Sequence, residues 1–534
     1  MVRILHSTPP KNVLLLLPLC TAAVLLAPFA GAERTPSGEA GRTRRVTGRV
    51  LDRDGHPIEG ATVRIKGSRH WTRSDGQGTF ALELPAGRKP PLRITAAAEG
   101  YYIQGRDWDG SNPVVFRLEA VPREIDERYR WVDPGPSRAR PRACANCHPT
   151  IYAEWVSSAH ATSAVNKHFL DVFYGVGARG DTPPKWALVR DRPDGRGVCA
   201  PCHVPQASFG SLALADPARA SGTEREGVHC DVCHKVRALA TEVFGLTHGL
   251  HAYELSLPPP PKQVFFGPLD DVDRGEDAFA AVYKDARFCA PCHEGTVLGT
   301  RAYTTYTEYT QWLTEGEYRA GRTCQSCHMA PDGKKTNIAP GHGGIERDPA
   351  TLSTHAFAGR TLEMLREAIR IKVEADRTSR TELEVRVQIA VRDTGHRVPT
   401  GFPQRHLVLL VQAVDPSGTP CPLRKGSTLP DLVGTSATVD QNLGGQPGAF
   451  YGRILADAMG LAPTPYWLAT QQLQDSRLWP DRTQVERFVF GVRKGSPVRV
   501  RVYLLYRKFF PALEQEKGWE PSERLVYRKE FVVR

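Results

Sequence analysis

Between Cys144 and His328 the sequence contains CANCH (144–148), CAPCH (199–203), CDVCH (230–234), a second CAPCH (289–293) and CQSCH (324–328). Each pentapeptide has the pattern C-x-x-C-H, which is typical of covalent c-type haem attachment. Two thiols at this spacing can reach the two vinyl groups of one porphyrin, and the histidine that follows is then held beneath the iron as its proximal ligand. Five motifs therefore predict five covalently attached haems.

This prediction assigns a role to fifteen residues. The predicted thioether-forming residues are Cys144, Cys147, Cys199, Cys202, Cys230, Cys233, Cys289, Cys292, Cys324 and Cys327. The predicted proximal iron ligands are His148, His203, His234, His293 and His328. A zinc site, a redox dithiol or a disulfide framework could also use C-x-x-C units. None of these alternatives requires a histidine directly after the second cysteine in all five cases, so haem attachment is favoured.

Length and composition indicate a soluble protein of several domains. The chain has 534 residues, of which 40% are hydrophobic and 24% are charged, and a globular domain usually takes roughly 100 to 200 residues. Outside the motifs the cysteines are Cys20 in the leader and Cys421, for which a buried thiol is favoured over a dimer contact. The formal net charge is +12, but the propionates of five haems would offset much of it, and no nucleic-acid motif is present. Many arginines are therefore expected to pair with propionates.

Residues 1–32 are interpreted as a secretory signal peptide. Arg3 and Lys11 precede an apolar run that ends at Phe29, and Ala30-Gly31-Ala32 has the A-x-A form of a cleavage site. Pro18 and Pro28 interrupt the run, so cleavage is favoured over a retained membrane anchor. We therefore expect an exported protein, periplasmic or exposed at the cell surface or outside the cell, with no membrane span after cleavage.

Residues 45–120 are predicted to form a separate β-sandwich. Short alternating runs are broken by Asp54-Gly55 and Asp75-Gly76, as in strands joined by hairpins. The stretches VTGRVLDRDGHPIEGATVRIKG (46–67), TRSDGQGTFAL (72–82) and AAAEGYY (96–102) resemble the carboxypeptidase regulatory-like domain, a small transthyretin-like β-sandwich. The resemblance implies a spacer or docking module without catalysis, with His56 and His70 on the surface.

A linker rich in proline and arginine, 121–142, leads into the predicted pentahaem domain, 143–364. Apolar residues at 151, 152, 155 and 159 have helical spacing after the first motif. A helix continuing to His160 would place that residue about 18 Å from His148 along its axis. His160 is therefore predicted to be the distal ligand of a neighbouring haem. The long turn-rich stretches elsewhere in this domain are expected to pack on porphyrins.

The arrangement Y-x-x-W-x-x-S-x-H formed by Tyr152, Trp155, Ser158 and His160 resembles multihaem cytochromes related to hydroxylamine oxidoreductase and cytochrome c nitrite reductase. EGVHCDVCHKV (226–236), FCAPCHEGTV (288–297), YTEYTQW (306–312) and CQSCHM (324–329) look like the same group. The resemblance implies closely packed haems and electron transfer, with the histidine of the first arrangement ligating another haem. Nitrite reductases of this kind carry lysine at the catalytic haem, whereas all five motifs here keep histidine.

The remaining histidines supply candidates for the distal ligands. His160, His355 and His396 rank first, because the segments around His355 and His396 also resemble ligand-bearing stretches of multihaem cytochromes. The weaker candidates are His248, His251, His229, His342 and His168. Methionines are too few to replace them, so mostly bis-histidine haems of low potential are expected.

From 365 to 534 the pattern becomes that of a second β-sandwich, with alternating apolar residues in several short runs. His396 would carry a haem ligand from this domain. The predicted fold class is therefore multidomain α+β, in which a helical, loop-rich multihaem core is flanked by an N-terminal and a C-terminal β-sandwich.

The function predicted from these features is electron transfer between a quinol-linked donor and a periplasmic or extracellular acceptor, through haems whose spacing the protein fixes. The first alternative is an oxidoreductase in which one haem lacks a distal histidine and acts on a small nitrogen or sulfur oxyanion. The second is a subunit of an extracellular electron-transfer complex or filament, in which the β domains make the contacts.

Overall fold

The computed structural model describes residues 44–177, 186–193, 199–209, 216–296, 304–315, 321–359 and 361–534. The predicted signal peptide, 1–32, lies outside them. Among the described residues, no helix combines the length and apolar character needed to cross a bilayer.

The N-terminal region forms two sheets that enclose a common core. Its strands are β1 Arg45–Asp52, β2 Thr62–Ile65, β3 Trp71–Arg73, β4 Thr79–Glu83, β5 Leu92–Ala97, β6 Gln104–Trp108 and β7 Val114–Leu118. One sheet has the order β4-β1-β7, with β1 and β7 parallel, and the other has the order β3-β2-β5-β6. Alternate side chains such as Val46, Val63 and Phe116 are fully buried between the sheets, as expected for strands with one face toward a core.

The turn between β3 and β4 shows how closely this sandwich is packed. The Asp75 carboxylate accepts hydrogen bonds from the backbone N–H groups of Gln77 and Thr79. Gly78 takes a positive φ of 71°, and a Cβ atom there would lie 2.4 Å from the Val50 carbonyl oxygen. A residue with a side chain would therefore clash with β1.

The central region is made of short helices and two-stranded pairings. Its helices are α1 Cys144–Cys147, α2 Pro149–Val156, α3 Lys167–Tyr174, α4 Leu188–Asp191, α5 Ala200–His203, α6 Pro205–Ser208, α7 Cys230–His234, α8 Ala290–His293, α9 Glu308–Glu315, α10 Cys324–His328 and α11 Leu362–Ala368. Its strands are β8 Val236–Leu239, β9 Tyr253–Leu255, β10 Phe265–Gly267, β11 Asp277–Phe279, β12 Glu294–Thr296 and β13 Thr304–Thr307. Short 3-10 turns occupy Pro217–Arg219, Gly222–Glu226, Gly249–Ala252, Ala281–Lys284, Ala286–Phe288 and Pro349–Thr351.

The helix predicted to run from the first motif to His160 is shorter than expected. Helix α2 ends at Val156. The Ser157 hydroxyl donates to the Glu154 carbonyl at 2.7 Å, and the Ser158 N–H donates to the Trp155 carbonyl at 2.8 Å. These local bonds satisfy carbonyls that the next helical turn would otherwise use, so the chain turns away. His160 consequently lies in an irregular turn beyond the helix.

The predicted linker, 121–142, is packed against the central region. The Asp231 carboxylate, within the third motif, accepts hydrogen bonds from the Tyr129 hydroxyl at 3.0 Å and from the Val132 N–H at 2.8 Å. The Trp131 ring meets the His229 ring edge to face, with centres 5.8 Å apart. This segment is therefore fixed to the third motif.

The C-terminal region again contains two sheets. Its elements are β14 Ile369–Ser379, β15 Glu382–Val391, β16 His406–Val414, β17 Leu423–Lys425, β18 Thr435–Ser436, β19 Gln441–Asn442, β20 Gly448–Ala456, β21 Gln471–Asp475, β22 Thr483–Gly491, β23 Val498–Arg507, α12 Pro511–Lys517, β24 Arg524–Val533 and the 3-10 turn Asp431–Val433. The sheet orders are β14-β15-β22-β17 and β21-β20-β16-β23-β24, and β18 pairs with β19.

Strand β16 is buried on both faces. Leu407 and Leu409 point into the core between the two sheets, whereas Val408 and Leu410 point into a second cluster that includes Phe510. This explains why the strand is almost continuously apolar. Cys421 is half-buried at the edge of the core between the two sheets. The thiol was expected to be buried, and it is only partly so.

The C-terminal region shares a further core with the central region. Helices α3 and α4 contribute to an apolar cluster that contains Trp467 and Trp519. The indole N–H of Trp519 donates to the Asp171 carboxylate at 2.7 Å, and that of Trp467 donates to the Asp191 carboxylate at 2.9 Å. These two hydrogen bonds join the C-terminal region to the central region.

Candidate haem-binding site

All five motifs face one continuous cavity of about 2200 Å³. The ten motif cysteines and the five motif histidines line it, together with Trp155, Trp312, Phe265, Phe266 and Tyr309. Sites for a single small ligand usually measure about 300 to 1000 Å³. The cavity is therefore large enough for several bulky groups side by side.

Each motif lies in a short helical turn, and this geometry explains its spacing. The cysteines and the histidine of C-x-x-C-H stand at positions i, i+3 and i+4, which share one face of a helix. In α7 and α10 the whole motif is helical, and in α1, α5 and α8 the helical turn covers four of its five residues. Both thiols and the imidazole can therefore face the same side of one planar group.

Backbone carbonyls hold four of the five motif imidazoles through their Nδ1 atoms. The distance is 2.6 Å from His148 to the Ile338 oxygen, 2.6 Å from His234 to the Phe266 oxygen and 3.2 Å from His203 to the Ser163 oxygen. The Nδ1 atom of His328 makes the same contact with the Ala358 oxygen. A carbonyl can only accept, so the proton resides on Nδ1 and the Nε2 lone pair remains available to a metal.

Three motif histidines each face a histidine from outside the motifs. The ring centres are 6.3 Å apart for His293 and His160, 6.4 Å for His234 and His355, and 6.2 Å for His328 and His396. Metal–imidazole bonds are about 2 Å long, so two imidazoles on opposite sides of one metal have ring centres about 6.3 Å apart. The three pairs therefore have the spacing of trans ligands to a shared metal.

Burial keeps the outer histidines of these pairs neutral. It lowers the pKa of His160 to about 3 and that of His355 to about 3, and it also lowers the pKa of His396. A neutral imidazole has the lone pair that coordination needs. The Nδ1 atoms of His160 and His355 are buried without a hydrogen-bond partner, and Nδ1 of His355 lies 3.9 Å from the Glu154 carboxylate.

A partly buried carboxylate on α2, that of Glu154, fixes the segment that carries His355. The Glu154 side chain accepts from the Lys335 ammonium at 2.7 and 2.8 Å and from the His355 backbone N–H at 2.8 Å. Lys335 is almost fully buried, with a side-chain exposure of 2%. The helix that follows the first motif thereby positions a residue that faces the third motif.

The same segment also contacts His160. The Phe357 ring lies 4.2 Å from the His160 ring, in an edge-to-face arrangement. Phe357 has a φ of +47°, a left-handed conformation that is uncommon for a residue with a bulky side chain. Two residues later, a Cβ atom on Gly359 would lie 3.3 Å from the His328 ring. Residues 353–359 therefore touch histidines of three different pairs.

Among the ring contacts of the described residues, none pairs a weaker candidate with a motif histidine. His229 lines the cavity, but its Nε2 atom is 2.8 Å from the Gln206 side-chain oxygen, and burial lowers its pKa to about 4. His248 lines the cavity with a buried, unpartnered Nε2. His251 contacts the Ser208 carbonyl through Nε2 at 2.9 Å, and His342 is exposed.

The other histidines have surroundings of their own. His168 lines the cavity and packs against the rings of Trp519 and Phe509, with centres 4.6 and 5.0 Å away. His406 lies inside the C-terminal region, stacked on Phe510 at 4.4 Å. His56 and His70 are exposed on the N-terminal sandwich, as expected.

Contacts between cysteines show which motifs are neighbours. The Cys144 thiol interacts electrostatically with that of Cys230, the Cys202 thiol with that of Cys292, and the Cys289 thiol with that of Cys324. The first motif therefore adjoins the third, and the fourth adjoins the second and the fifth. A Coulombic interaction between Cys233 and Cys292 also relates the third motif to the fourth.

These positions argue against a zinc framework. In the part of the chain that the structure describes, the one cluster of three potential metal ligands is the exposed group Asp52, Asp54 and His56. It contains no motif residue. All cysteines in that part of the chain are free, so the motifs do not form disulfides with one another.

Several residues that shape the site carry no signal in the sequence. Ile338, Phe266, Ser163 and Ala358 act through backbone carbonyls, which every residue possesses. The pairing of Glu154 with Lys335 joins residues that are distant in the chain. The only indication of this pairing in the sequence is that Glu154 is the one acidic residue of an otherwise largely apolar helix.

Comparisons with known proteins agree with two parts of this description. Residues 45–119 match the family model of the carboxypeptidase regulatory-like domain. The structure resembles the crystal structure of a penta-heme cytochrome c552 from Thermochromatium tepidum, with a TM-score of 0.50 and 21% sequence identity, over 73% of this chain and 97% of that chain. At this identity the likeness shows a shared fold.

A cohesin–X-dockerin complex from Acetivibrio cellulolyticus aligns with a TM-score of 0.11 and 16% identity, over 14% of this chain and 51% of that chain. No curated protein matches the sequence. The fold is thus shared with a pentahaem cytochrome, the N-terminal region is a carboxypeptidase regulatory-like domain, and the donor set in the cavity fits haem c.

Proposed function

We propose that this protein is a c-type cytochrome that carries five covalently attached haems and transfers electrons through them. The observation that carries the proposal is the single cavity in which five C-x-x-C-H motifs face inward and three motif histidines stand opposite a second histidine at 6.2 to 6.4 Å. Each haem, when bound, supplies a one-electron iron couple. The chain binds these groups, orients them and excludes water.

The proposed ligand pairs follow from the ring geometry. His293 and His160, His234 and His355, and His328 and His396 would each hold one iron from both sides. An iron with two histidine ligands has no open position for a substrate, and it has a lower potential than one with a methionine ligand. These three sites therefore favour electron transfer over catalysis.

The contacts between motifs support a continuous electron path. The first and third motifs would carry neighbouring haems, the third adjoins the fourth, and the fourth adjoins both the second and the fifth. Arg274 and Arg405 line the cavity near His148 and His293, and guanidinium groups are suited to pairing with propionates.

The cellular setting is part of the proposal. The signal-like sequence at 1–32 supports export to the periplasm or the cell surface, with a quinol-linked donor and an external acceptor. The carboxypeptidase regulatory-like domain offers a surface for protein contacts. Kinship with the hydroxylamine oxidoreductase and nitrite reductase group is proposed on the sequence stretches quoted above.

Haem counting tests the core of the proposal. Intact mass and a pyridine haemochrome assay of the purified protein should give five haems per chain, and the optical spectrum should be dominated by low-spin iron. Replacing both cysteines of one motif, for example Cys324→Ser with Cys327→Ser, should remove one haem. A protein without covalent tetrapyrrole would refute the proposal.

A second function is favoured by one observation. Among the ring contacts of the described residues, His148 and His203 have no second histidine at the distance found for the other three. An iron held by one of them could bind a small nitrogen or sulfur oxyanion, with nearby Arg274 compensating charge in the first case. A high-spin fraction that shifts on addition of cyanide or nitrite would support this function, and a purely low-spin spectrum unchanged by either would exclude it.

A further inference from the structure

The N-terminal sandwich is fastened to the central region through a short acidic segment. Three carboxylates, in the stretch 270–273, face basic side chains and a backbone N–H group of the sandwich. The pairs are Asp270 with Arg64 at 2.7 Å, Asp273 with Arg93 at 2.6 Å, and Asp273 with Lys66. The Asp273 side chain is only 3% exposed.

Asp271 makes the most enclosed contact of this segment. Its carboxylate accepts from the Gly67 backbone N–H at 2.7 Å, in the turn between β2 and β3, and from the Arg347 guanidinium at 2.9 Å. The side chains of Asp271 and Arg347 are 2% and 7% exposed. A buried ion pair is weak support for stability, because the attraction is offset by desolvation. Its main effect is to fix the relative positions of the groups that it joins.

Arg347 belongs to the loop that holds the first motif histidine. The Arg347 N–H donates to the Thr336 carbonyl at 2.7 Å, and the Ile338 carbonyl contacts Nδ1 of His148 at 2.6 Å. The sandwich also touches this loop directly, since a Cβ atom on Gly67 would lie 2.6 Å from the terminal methyl carbon of Ile345. A chain of contacts therefore runs from the sandwich through Asp271 to His148.

We propose that the N-terminal sandwich helps to shape the first haem site. In this proposal Asp271 is a positioning residue, which holds the Ile338 carbonyl against the proximal imidazole of His148. The domain would then be more than the spacer or docking module that its family resemblance implies. This inference rests on the proposed function, because it needs a haem bound at His148.

The expected consequence is a change in the reduction potential of one haem. A hydrogen bond from Nδ1–H to a carbonyl gives the imidazole more anionic character, which favours ferric iron and lowers the potential. Releasing the loop weakens that bond, so the potential should rise. Loss of the nearby carboxylate charge acts in the same direction.

Two variants of the full-length haem protein separate these effects. Asp271→Asn removes the charge but keeps an oxygen that accepts from Gly67, whereas Asp271→Ala removes both. Glu83→Ala is the matched control, because it removes a carboxylate from the exposed pair with Arg45 elsewhere on the sandwich. Haem content is measured first, followed by potentiometric titration and electron paramagnetic resonance of the low-spin irons.

Asp271→Ala should raise one midpoint potential and alter one low-spin signal, with a clearly smaller effect for Asp271→Asn and none for Glu83→Ala. Equal shifts for the alanine and asparagine variants would overturn the positioning role, since charge alone would explain them. Unchanged potentials in both variants would also overturn it. Absence of haem from the parent protein would instead refute the proposed function.

Discussion

The imidazole rings of His328 and His396 lie within 8° of parallel, with centres 6.2 Å apart, although one belongs to α10 and the other to the loop between β15 and β16. Arg397, beside His396, is anchored by Glu315 and Asp475 and lies 3.7 Å from the centre of the Trp479 ring. The loop that carries His396 is thus anchored both to the central region, through Glu315, and to the C-terminal region, through Asp475.

Replacing His396 should leave one haem iron with a single histidine ligand. His396→Ala is expected to convert one haem from low spin to high spin, because the ring opposite His328 is lost. His396→Met should keep that haem low spin and raise its potential, since methionine ligation raises the potential of c-type haems. Optical spectra and potentiometric titration measure both effects.

His406 provides the control for this experiment. It is also buried in the C-terminal region, but it stacks on Phe510 and does not line the cavity. His406→Leu should leave the haem spectrum unchanged. If this variant opened an iron while His396→Ala did not, the proposed ligand pairs would be wrong.

Removing the Glu154 carboxylate should disturb the haem held by His234 and His355. Glu154→Ala leaves Lys335 buried without its counter-ion, which typically destabilises a protein by about 3 to 5 kcal/mol. It also removes the acceptor for the His355 N–H. We expect a lower free energy of unfolding in denaturant titration, together with a high-spin fraction from a single haem.

A conservative variant distinguishes positioning of His355 from stability alone. Glu154→Gln with Lys335→Met removes the ion pair, but the amide oxygen can still accept from His355. This protein should keep a low-spin spectrum. A high-spin fraction as large as that of Glu154→Ala would show that the hydrogen bond to His355 does not matter.

His406 should make the protein less stable in acid. Burial lowers its pKa to about 3 in the folded state, compared with about 6.5 in an unfolded chain. Below about pH 6.5 the unfolded state therefore binds a proton that the folded state does not, and stability falls until the pH approaches 3. The largest slope from one such group is about 1.4 kcal/mol per pH unit.

His406→Leu should reduce this loss between pH 7 and pH 5, as measured by urea unfolding at each pH. His70→Leu, at an exposed position, serves as the control and should leave the pH dependence as it is in the parent protein. An identical pH dependence for His406→Leu and the parent would contradict the prediction.

The buried pair of Arg507 and Glu523 should stabilise the C-terminal region only while both partners are present. Their side chains are 2% and 3% exposed, and the Arg507 Nε–H donates to the Glu523 carboxylate at 2.8 Å. Nearby donors and Arg507 lower the pKa of Glu523 despite burial. Arg507→Met should therefore cost about 3 to 5 kcal/mol of unfolding free energy.

Adding Glu523→Gln should recover most of that loss, because a neutral amide can still accept from the Ser436 hydroxyl and the Thr438 N–H. Denaturant titrations of the two variants and the parent measure the difference. A double variant no more stable than Arg507→Met would argue against an unpaired charge as the cause.

Local patterns predicted much of the architecture. The short alternating runs within 45–120 and the apolar runs after 365 indicated strands correctly, because each strand has at least one face in a core. The helix after the first motif was predicted too long, since periodicity could not show that Ser157 and Ser158 would bond back to the preceding carbonyls. Segment 121–142 was predicted to be a linker from its proline and arginine content. Composition does not show that Asp231, about 100 residues further along the chain, accepts hydrogen bonds from Tyr129 and Val132.

The sequence by itself determined the five motifs and the helical spacing that turns two thiols and an imidazole to one side, because these depend only on neighbours in the chain. The tertiary structure decided which histidine stands opposite which motif, that the motifs share one cavity, and that the sandwich reaches His148 through Asp271. These relationships join residues far apart in the chain, and they depend on packing and on backbone carbonyls that every residue has.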